Sequence, residues 1–354
     1  MNIDHVGQFQ FTPVDQIGQY KFTLEKRKEF MPIWFDQQTS KKGAHGVMIS
    51  EVKKMKIGII GLGDIAKKAY LPVLSEKEGI DLVLCTRNLD TLNKLSSQYR
   101  IPEKVQTVDE LIEKEVNGVI VSAATEAHFE IAEKLLSHGI NTYIDKPISM
   151  NFHETQKIVE LAETNEAIAM VGFNRRFIPR VNELKDKGKA DLVLIQKNRF
   201  NAADYVRRFV VEDFIHVVDT LRFLMDTEVL EVKVQALKNG DKMNHLIIQL
   251  IGDNCTAMGI MNRNGGVTEE TIEYSTGHHK YVVNDLVETT HYHNKEIQIE
   301  KYGGWEPTLY KRGFYQITDH FIDCIEKNRT PAPSIQDSLK THEICERIVE
   351  EIES

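Results

Sequence analysis

Lys56-Ile57-Gly58-Ile59-Ile60-Gly61-Leu62-Gly63-Asp64-Ile65-Ala66 is the stretch that decides the fold. Its apolar residues Ile57, Ile59 and Ile60 read as a buried strand. The strand stops at a glycine turn, and Lys67-Lys68-Ala69-Tyr70-Leu71 continues as a helix. Strand, turn and helix together carry the G-x-G-x-x-A form of the dinucleotide-binding fingerprint. Gly61 permits the tight turn, and Gly63 lets the backbone approach a pyrophosphate. Asp64 and Ile65 complete the loop, and Ala66 keeps helix and strand close. The helix start offers unpaired N–H groups and a partial positive charge to phosphates.

The residues that follow repeat the strand–helix alternation. The first helix runs over 67–75 and contains Pro72, which predicts a kink or an early end. Residues 81–85 form a second strand ending in Thr86-Arg87-Asn88, about 20 residues past the fingerprint, where an adenosine ribose is read. An acid there would grip both hydroxyls of NAD; this chain has none. Arg87 can pair with a 2′-phosphate and stack on adenine, so the expected cofactor is NADP(H), with NAD possible. Further strands are expected at 118–122, 141–144 and 167–172, and helices at 89–99, 128–138 and 151–163. Gly139 closes the 128–138 helix. Alternation of this length specifies a doubly wound parallel sheet, a Rossmann domain in an α/β protein.

From about residue 190 the texture changes. A strand over 192–200 and a helix over 212–225 precede a run of strands separated by Asn239-Gly240, Gly252-Asp253-Asn254, Gly265-Gly266 and Gly277. Leu230, Val232, Val234 and Ala236 alternate with Glu231, Lys233 and Gln235, the period of a sheet with one buried face. The expected second domain is α+β, with a large, mostly antiparallel open sheet. A helix over 313–327 returns toward the first domain, and 335–352 forms a terminal helix. The domains are therefore read as 55–176 (Rossmann), 177–335 (substrate and oligomerisation sheet) and 336–354 (C-terminal helix). Residues 1–54 lack a sustained period, mix aromatics with Lys26-Arg27-Lys28, and precede Met55 at a natural start. They are read as a leader or an over-called start, against the alternative of a real appendage.

The chain has 354 residues, 44 Lys+Arg and 53 Asp+Glu, a net charge of −9. That balance argues against bulk nucleic-acid or anionic-membrane binding. No apolar run spans a bilayer and no apolar leader region is visible, so a cytoplasmic protein is expected. Cys85, Cys255, Cys324 and Cys345 are far apart and are read as reduced.

The assembled motifs resemble the Gfo/Idh/MocA family, the glucose–fructose oxidoreductase and inositol dehydrogenase group, over residues 55–354. The pieces are the 61–66 fingerprint, Ala124-Thr125-Glu126-Ala127-His128, Asp145-Lys146-Pro147, Gly172-Phe173-Asn174-Arg175-Arg176 and His216-Val217-Val218-Asp219. The resemblance implies NAD(P) binding and oxidation or reduction of sugars, polyols or related alcohols. It places Ala124, Thr125, His128, Asp145 and Lys146 at the cofactor. The family usually writes Glu where Asp145 stands, and it often has an Asp four residues before its catalytic His. Here that position is Glu212, with Asp213 beside it. On an α-helix both share the face of His216, and the sequence does not choose between them.

Hydride chemistry belongs to the nicotinamide, so the protein must manage a hydroxyl proton. Lys146, at a strand end against the cofactor crevice, can stabilise alkoxide charge or relay a proton. His216 can take the proton, oriented by Glu212 or Asp213. Asp219 is expected as a structural partner of His216 or Arg222. Arg175 either holds cofactor or substrate oxygens or ties the domains together. His278-His279 and His291-x-His293 invite a metal reading, but no carboxylate or Cys stands at convincing spacing, and no metal is expected. The alternatives are a non-catalytic dinucleotide sensor or interaction protein, and an enzyme that keeps NAD tightly for internal redox. A face of the broad sheet left over for a partner suggests a homodimer or homotetramer.

Overall fold

The computed structural model describes residues 11–14, 19–22 and 54–354. Within the N-terminal segment, β1 (Phe11–Val14) and β2 (Gln19–Phe22) pair antiparallel, with Phe11 opposite Phe22. Two short strands thus stand where the sequence shows no sustained period. Lys26-Arg27-Lys28, and with them the status of 1–54 as leader or appendage, lie outside the described residues.

The second compact unit starts at Lys53. Its first sheet has six parallel strands: β3 (Met55–Ile60), β4 (Ile80–Cys85), β5 (Glu103–Val105), β6 (Gly118–Val121), β7 (Asn141–Ile144) and β8 (Ala169–Val171). Their order is β5-β4-β3-β6-β7-β8. The order reverses at β3, so the crevice outside its C-terminal end is the topological switch point of a doubly wound sheet. Runs such as Val119-Ile120-Val121 are buried at every position because helices cover both faces. One cover is the helix Phe314–Glu326, whose Ile317 and Phe321 pack with Ile57, Tyr143 and Met170. This is the helix expected to return from the second domain.

Pro72 does not end the first helix. The backbone widens into a π turn over Ala66–Tyr70, where Leu71 N–H donates to Ala66 O, and an α-helix follows over Leu71–Ser75. Proline has no N–H to give, and the wide turn is one way a helix absorbs that loss.

The second sheet has nine strands: β9 (Leu192–Asn198), β10 (Asp204–Tyr205), β11 (Glu231–Asn239), β12 (Lys242–Ile251), β13 (Thr256–Asn262), β14 (Glu269–Thr276), β15 (His279–Asn284), β16 (Glu288–His293) and β17 (Glu296–Lys301). All pairs are antiparallel except β9 with β13. On the inner face, Val193, Ile195, Leu246, Ile248 and Ile272 form one core with the helix Ile215–Met225. The terminal helix Ile335–Glu353, capped by Ser334 on Asp337 N–H, joins the same core through Ile344, Ile348 and Val349.

Two arginines from one loop tie the sheets together. Arg176 donates to both oxygens of Asp219, at 2.9 and 2.6 Å, and to Asp337. Arg175 donates to both oxygens of Glu270 on β14, at 2.7 and 2.9 Å. Asp219 was expected to partner His216 or Arg222; it partners Arg176 and Thr341 instead, and Arg222 goes to Asp337. Breaking such a buried pair from one side costs on the order of 3–5 kcal/mol.

Candidate active site

The fingerprint turn builds one wall of a cleft of about 1180 Å³. Gly61 sits at φ 89, and a Cβ there would lie 2.3 Å from the Ala123 backbone. Ser122 Oγ locks the turn by donating to Gly61 O at 2.9 Å. At Gly63 a Cβ would meet nothing within 4 Å, because that direction opens into the cleft. Glycines that leave such a cradle beside a helix start fit a pyrophosphate. Asp64 and Ile65 line the cleft beside them, and Thr86, Arg87 and Asn88 line it from the end of β4. Asn88 also caps the next helix, and Gln106 Nε2 donates to Arg87 O at 3.0 Å, ordering the strand end. Ala124 and Lys146 line it from the ends of β6 and β7, and Arg208 and Glu212 close it from the second domain. Sequence reading missed Ser122, Gln106 and Arg208, which reach the cleft from separate strands and domains.

Five expected cofactor residues do not line the cleft. Ala66 is fully buried between helix and strand, as its packing role requires, and Thr125 opens a short turn between Ala124 and Ala127, which line the cleft while it does not. His128 is buried, with Nδ1 2.8 Å from Pro147 O and Nε2 3.0 Å from Ala123 O. Its ring spans two backbone segments of the cleft wall, leaving neither nitrogen for a ligand. Arg175 is committed bidentately to Glu270, so its part here is the inter-domain tie. Asp145, half-buried, likewise stays out of the cleft lining. It accepts from Tyr70 Oη at 2.8 Å, and Tyr70 Oη lies 3.2 Å from Tyr143 Oη. Burial raises the Asp145 carboxyl above its usual range, opposed by Lys146.

Lys146 leads from the cleft into a buried cluster of charges. Its Nζ donates to Glu212 O at 2.6 Å, and burial lowers its pKa against the pull of Asp145. Next along the chain, Asp213 accepts from Lys197 Nζ at 2.5 Å and from Arg199 Nη2 at 3.1 Å. Burial opposes its ionisation, but Lys197 and Arg199 outweigh that and hold its carboxyl well below the usual range. Lys197, on β9, is almost wholly enclosed; burial and the nearby Arg175 bring its pKa down to about 7. Glu270 is held down to about 2, where Arg175 overcomes burial. His216 is 8% exposed, and its Nδ1 has no hydrogen-bond partner among the described residues. Burial, then Arg175, Lys146, Lys197 and Arg199, push its imidazole well below the usual range, so it is neutral at pH 7.

The expected support of His216 by Glu212 or Asp213 is not made. Residues Arg208–Phe214 form a π-helix, with Ile215 N–H donating to Val210 O, and the α-helix begins only at Ile215. The i−3 and i−4 alignment of an α-helix does not hold there. Glu212 pairs with Arg208 at 3.3 Å, and Asp213 turns to the sheet.

Elsewhere, His279 and His291 stack on Tyr281, His293 stacks on His279, and His279 Nδ1 stands 2.9 Å from His291 Nε2. No group of three or more metal-ligating side chains suited to an ion occurs among the described residues. The four cysteines are free and buried. No helix among the described residues is long and apolar enough to cross a membrane.

A doubly wound sheet whose dinucleotide cleft carries a lysine from the end of β7, with a buried neutral histidine on the helix packed against the second sheet, defines a nucleotide-dependent oxidoreductase architecture. The chain belongs to the Gfo/Idh/MocA oxidoreductase family. Residues 55–173 match the model described as "Oxidoreductase family, NAD-binding Rossmann fold", and residues 179–294 match the YceM-like C-terminal domain. The chain is 30% identical to YceM of Salmonella typhimurium, an oxidoreductase by name, over 84% of this chain and 97% of that protein. It is 26% identical to an inositol 2-dehydrogenase of Salmonella paratyphi B, over 51% of this chain and 57% of that one. A Gfo/Idh/MocA family oxidoreductase from Vibrio cholerae superposes with a TM-score of 0.80 at 29% identity, covering 85% of this chain and 100% of the other.

Proposed function

We propose that this chain is an NADP(H)-preferring oxidoreductase that interconverts a hydroxyl and a carbonyl on a sugar, polyol or related small compound. The observation that carries the reading is Lys146, which lines the nucleotide cleft and continues into the cluster around His216. Gly61, Gly63, Asp64, Ile65 and Ala124 hold the nucleotide, and Arg87, with Thr86 and Asn88, takes the 2′-phosphate. When bound, the nicotinamide accepts or gives the hydride. Lys146 Nζ stabilises the substrate oxygen, and neutral His216 offers a ring lone pair to the hydroxyl proton. Asp213 fixes Lys197 and Arg199 behind that oxygen. Inositol dehydrogenases among the relatives support the substrate class. A homodimer or homotetramer through the open face of the second sheet completes the reading.

Nicotinamide fluorescence titrations with NADPH and NADH test the cofactor. Preference for NADPH, lost in Arg87→Ala, is expected; equal NADH binding would overturn the 2′-phosphate assignment. In a sugar and polyol screen, Lys146→Ala and His216→Ala should each lower turnover on the order of 10²–10⁴-fold, with NADPH affinity retained. Wild-type turnover in both variants would refute the catalytic assignment.

A further inference from the structure

The basic groups around His216 are not all hydrogen-bonded. Glu270 is fully used by Arg175, both carboxylate oxygens being taken at 2.7 and 2.9 Å. Asp213 accepts from Lys197 Nζ and, through both oxygens, from Arg199 Nε and Nη2, and Arg263 Nε stands 3.9 Å from the same carboxylate. Arg263 Nη1 lies 3.7 Å from Asp204, also beyond hydrogen-bond range. Arg263 Nε and Nη1 are buried without a hydrogen-bond partner among the described residues. Lys146 adds a cation whose hydrogen bond goes to a neutral carbonyl. Buried guanidinium N–H groups are normally satisfied, and leaving them bare is costly.

The three basic side chains meet by construction. Lys197 and Arg199 lie at the C-terminal end of β9, and Arg263 follows β13, which runs parallel to β9. The π-helix Arg208–Phe214 brings Asp213 and Glu212 across that end, next to Lys146. Arg199 retains solvent access, with its side chain 38% exposed.

Resting on the oxidoreductase reading above, we propose that the substrate carries an anionic group, a carboxylate or a phosphate, beside its reacting hydroxyl, and that Arg199 and Arg263 bind it. Arg199 already holds Asp213 through Nε and Nη2, so it would offer the anion its outer Nη1 edge, and Arg263 its unpartnered Nε and Nη1. An anion seated among these cations also offsets the field that weakens His216 as a base, so its arrival brings the imidazole closer to the basicity that proton abstraction needs. A neutral polyol brings no charge to set against that field.

Calorimetric titration of the full-length protein with malonate, inorganic phosphate and glycerol, with and without NADPH, decides this. Malonate or phosphate should bind and glycerol should not, with affinity falling as salt is added. Arg199→Gln and Arg263→Gln should each weaken the anion at least tenfold, while Arg87→Ala should not. Arg199 is part-exposed, so that variant folds even where Arg263→Gln does not. The tighter of the two anions identifies the group. Equal binding of glycerol, or anion binding that survives both variants or is lost in Arg87→Ala, would overturn the proposal. Anion binding at Arg199 and Arg263 in a protein that binds no nicotinamide nucleotide would uphold this site and remove the cofactor reading.

Discussion

Gly61 and Gly63 stand two residues apart and do different work. Gly61 combines a left-handed φ of 89 with an approach that puts a built Cβ 2.3 Å from the Ala123 backbone. Gly61→Ala therefore strains the turn and pushes β3 from the segment after β6. It should lower the thermal midpoint by several degrees, a cost of about 1–3 kcal/mol. Gly63 has a φ outside the left-handed region and open space where a Cβ would go, so Gly63→Ala should leave the midpoint within about one degree. The new methyl would fill the phosphate cradle and weaken NADPH at least tenfold. Parallel melting curves and fluorescence titrations check both. A Gly63→Ala protein that binds NADPH normally would mean that the phosphates lie elsewhere.

Strands and fingerprint were legible in the chain because each is a local pattern: buried runs such as Val119-Ile120-Val121, and a glycine spacing that only one turn satisfies. The π turns at Ala66–Tyr70 and Arg208–Phe214 were not, since nothing in the local period separates i+4 from i+5 bonding. That difference moved Glu212 and Asp213 away from His216. Lys197, Arg199, Arg263 and Glu270 escaped notice because strand pairing and helix docking, not spacing, bring them together. His342 on the terminal helix escaped for the same reason. Its Nδ1 lies 2.8 Å from Ser338 O and its Nε2 accepts from Ile148 N–H at 3.1 Å, two residues past Lys146. Burial outweighs the Ser338 carbonyl and brings its pKa down to about 4. An unfolded histidine titrates near 6.5, so between those values the unfolded chain binds more protons and stability rises with pH. His342 thus contributes fully above about pH 6.5 and is lost as pH falls toward 4. From pH 7 to pH 5 this amounts to roughly 2 kcal/mol. Urea midpoints at both pH values should show His342→Gln losing less on acidification than the wild type; equal losses would remove His342 as a source of acid lability.

The nine-stranded sheet has two unlike faces, and the outer one sets an expectation for the whole molecule. Register places Ile247 opposite Ile260 and Tyr292 opposite Ile297, with Met258, Leu194, Val282 and Ile299 on the same side. The residues of this face are only partly buried: Leu192 is 47%, Ile297 61% and Ile299 57% exposed. Ion pairs Glu273–Lys280 and Glu288–Lys301 sit among them, at 2.5 and 2.6 Å. An apolar sheet face left this open is where a second copy is expected to dock. A second copy meeting it about a two-fold axis would place the same strands of both chains in contact. Ile260 projects away from the inner core, so Ile260→Arg leaves that core intact and introduces a charge at the centre of the contact. Sedimentation should show a homodimer or tetramer for the wild type and a monomer for Ile260→Arg, with the wild-type NADPH affinity retained, because the nucleotide cleft lies in the Rossmann sheet. A wild-type monomer across micromolar concentrations would mean that this face stays uncovered by a second copy, and an Ile260→Arg protein that still assembles would move the contact to another surface.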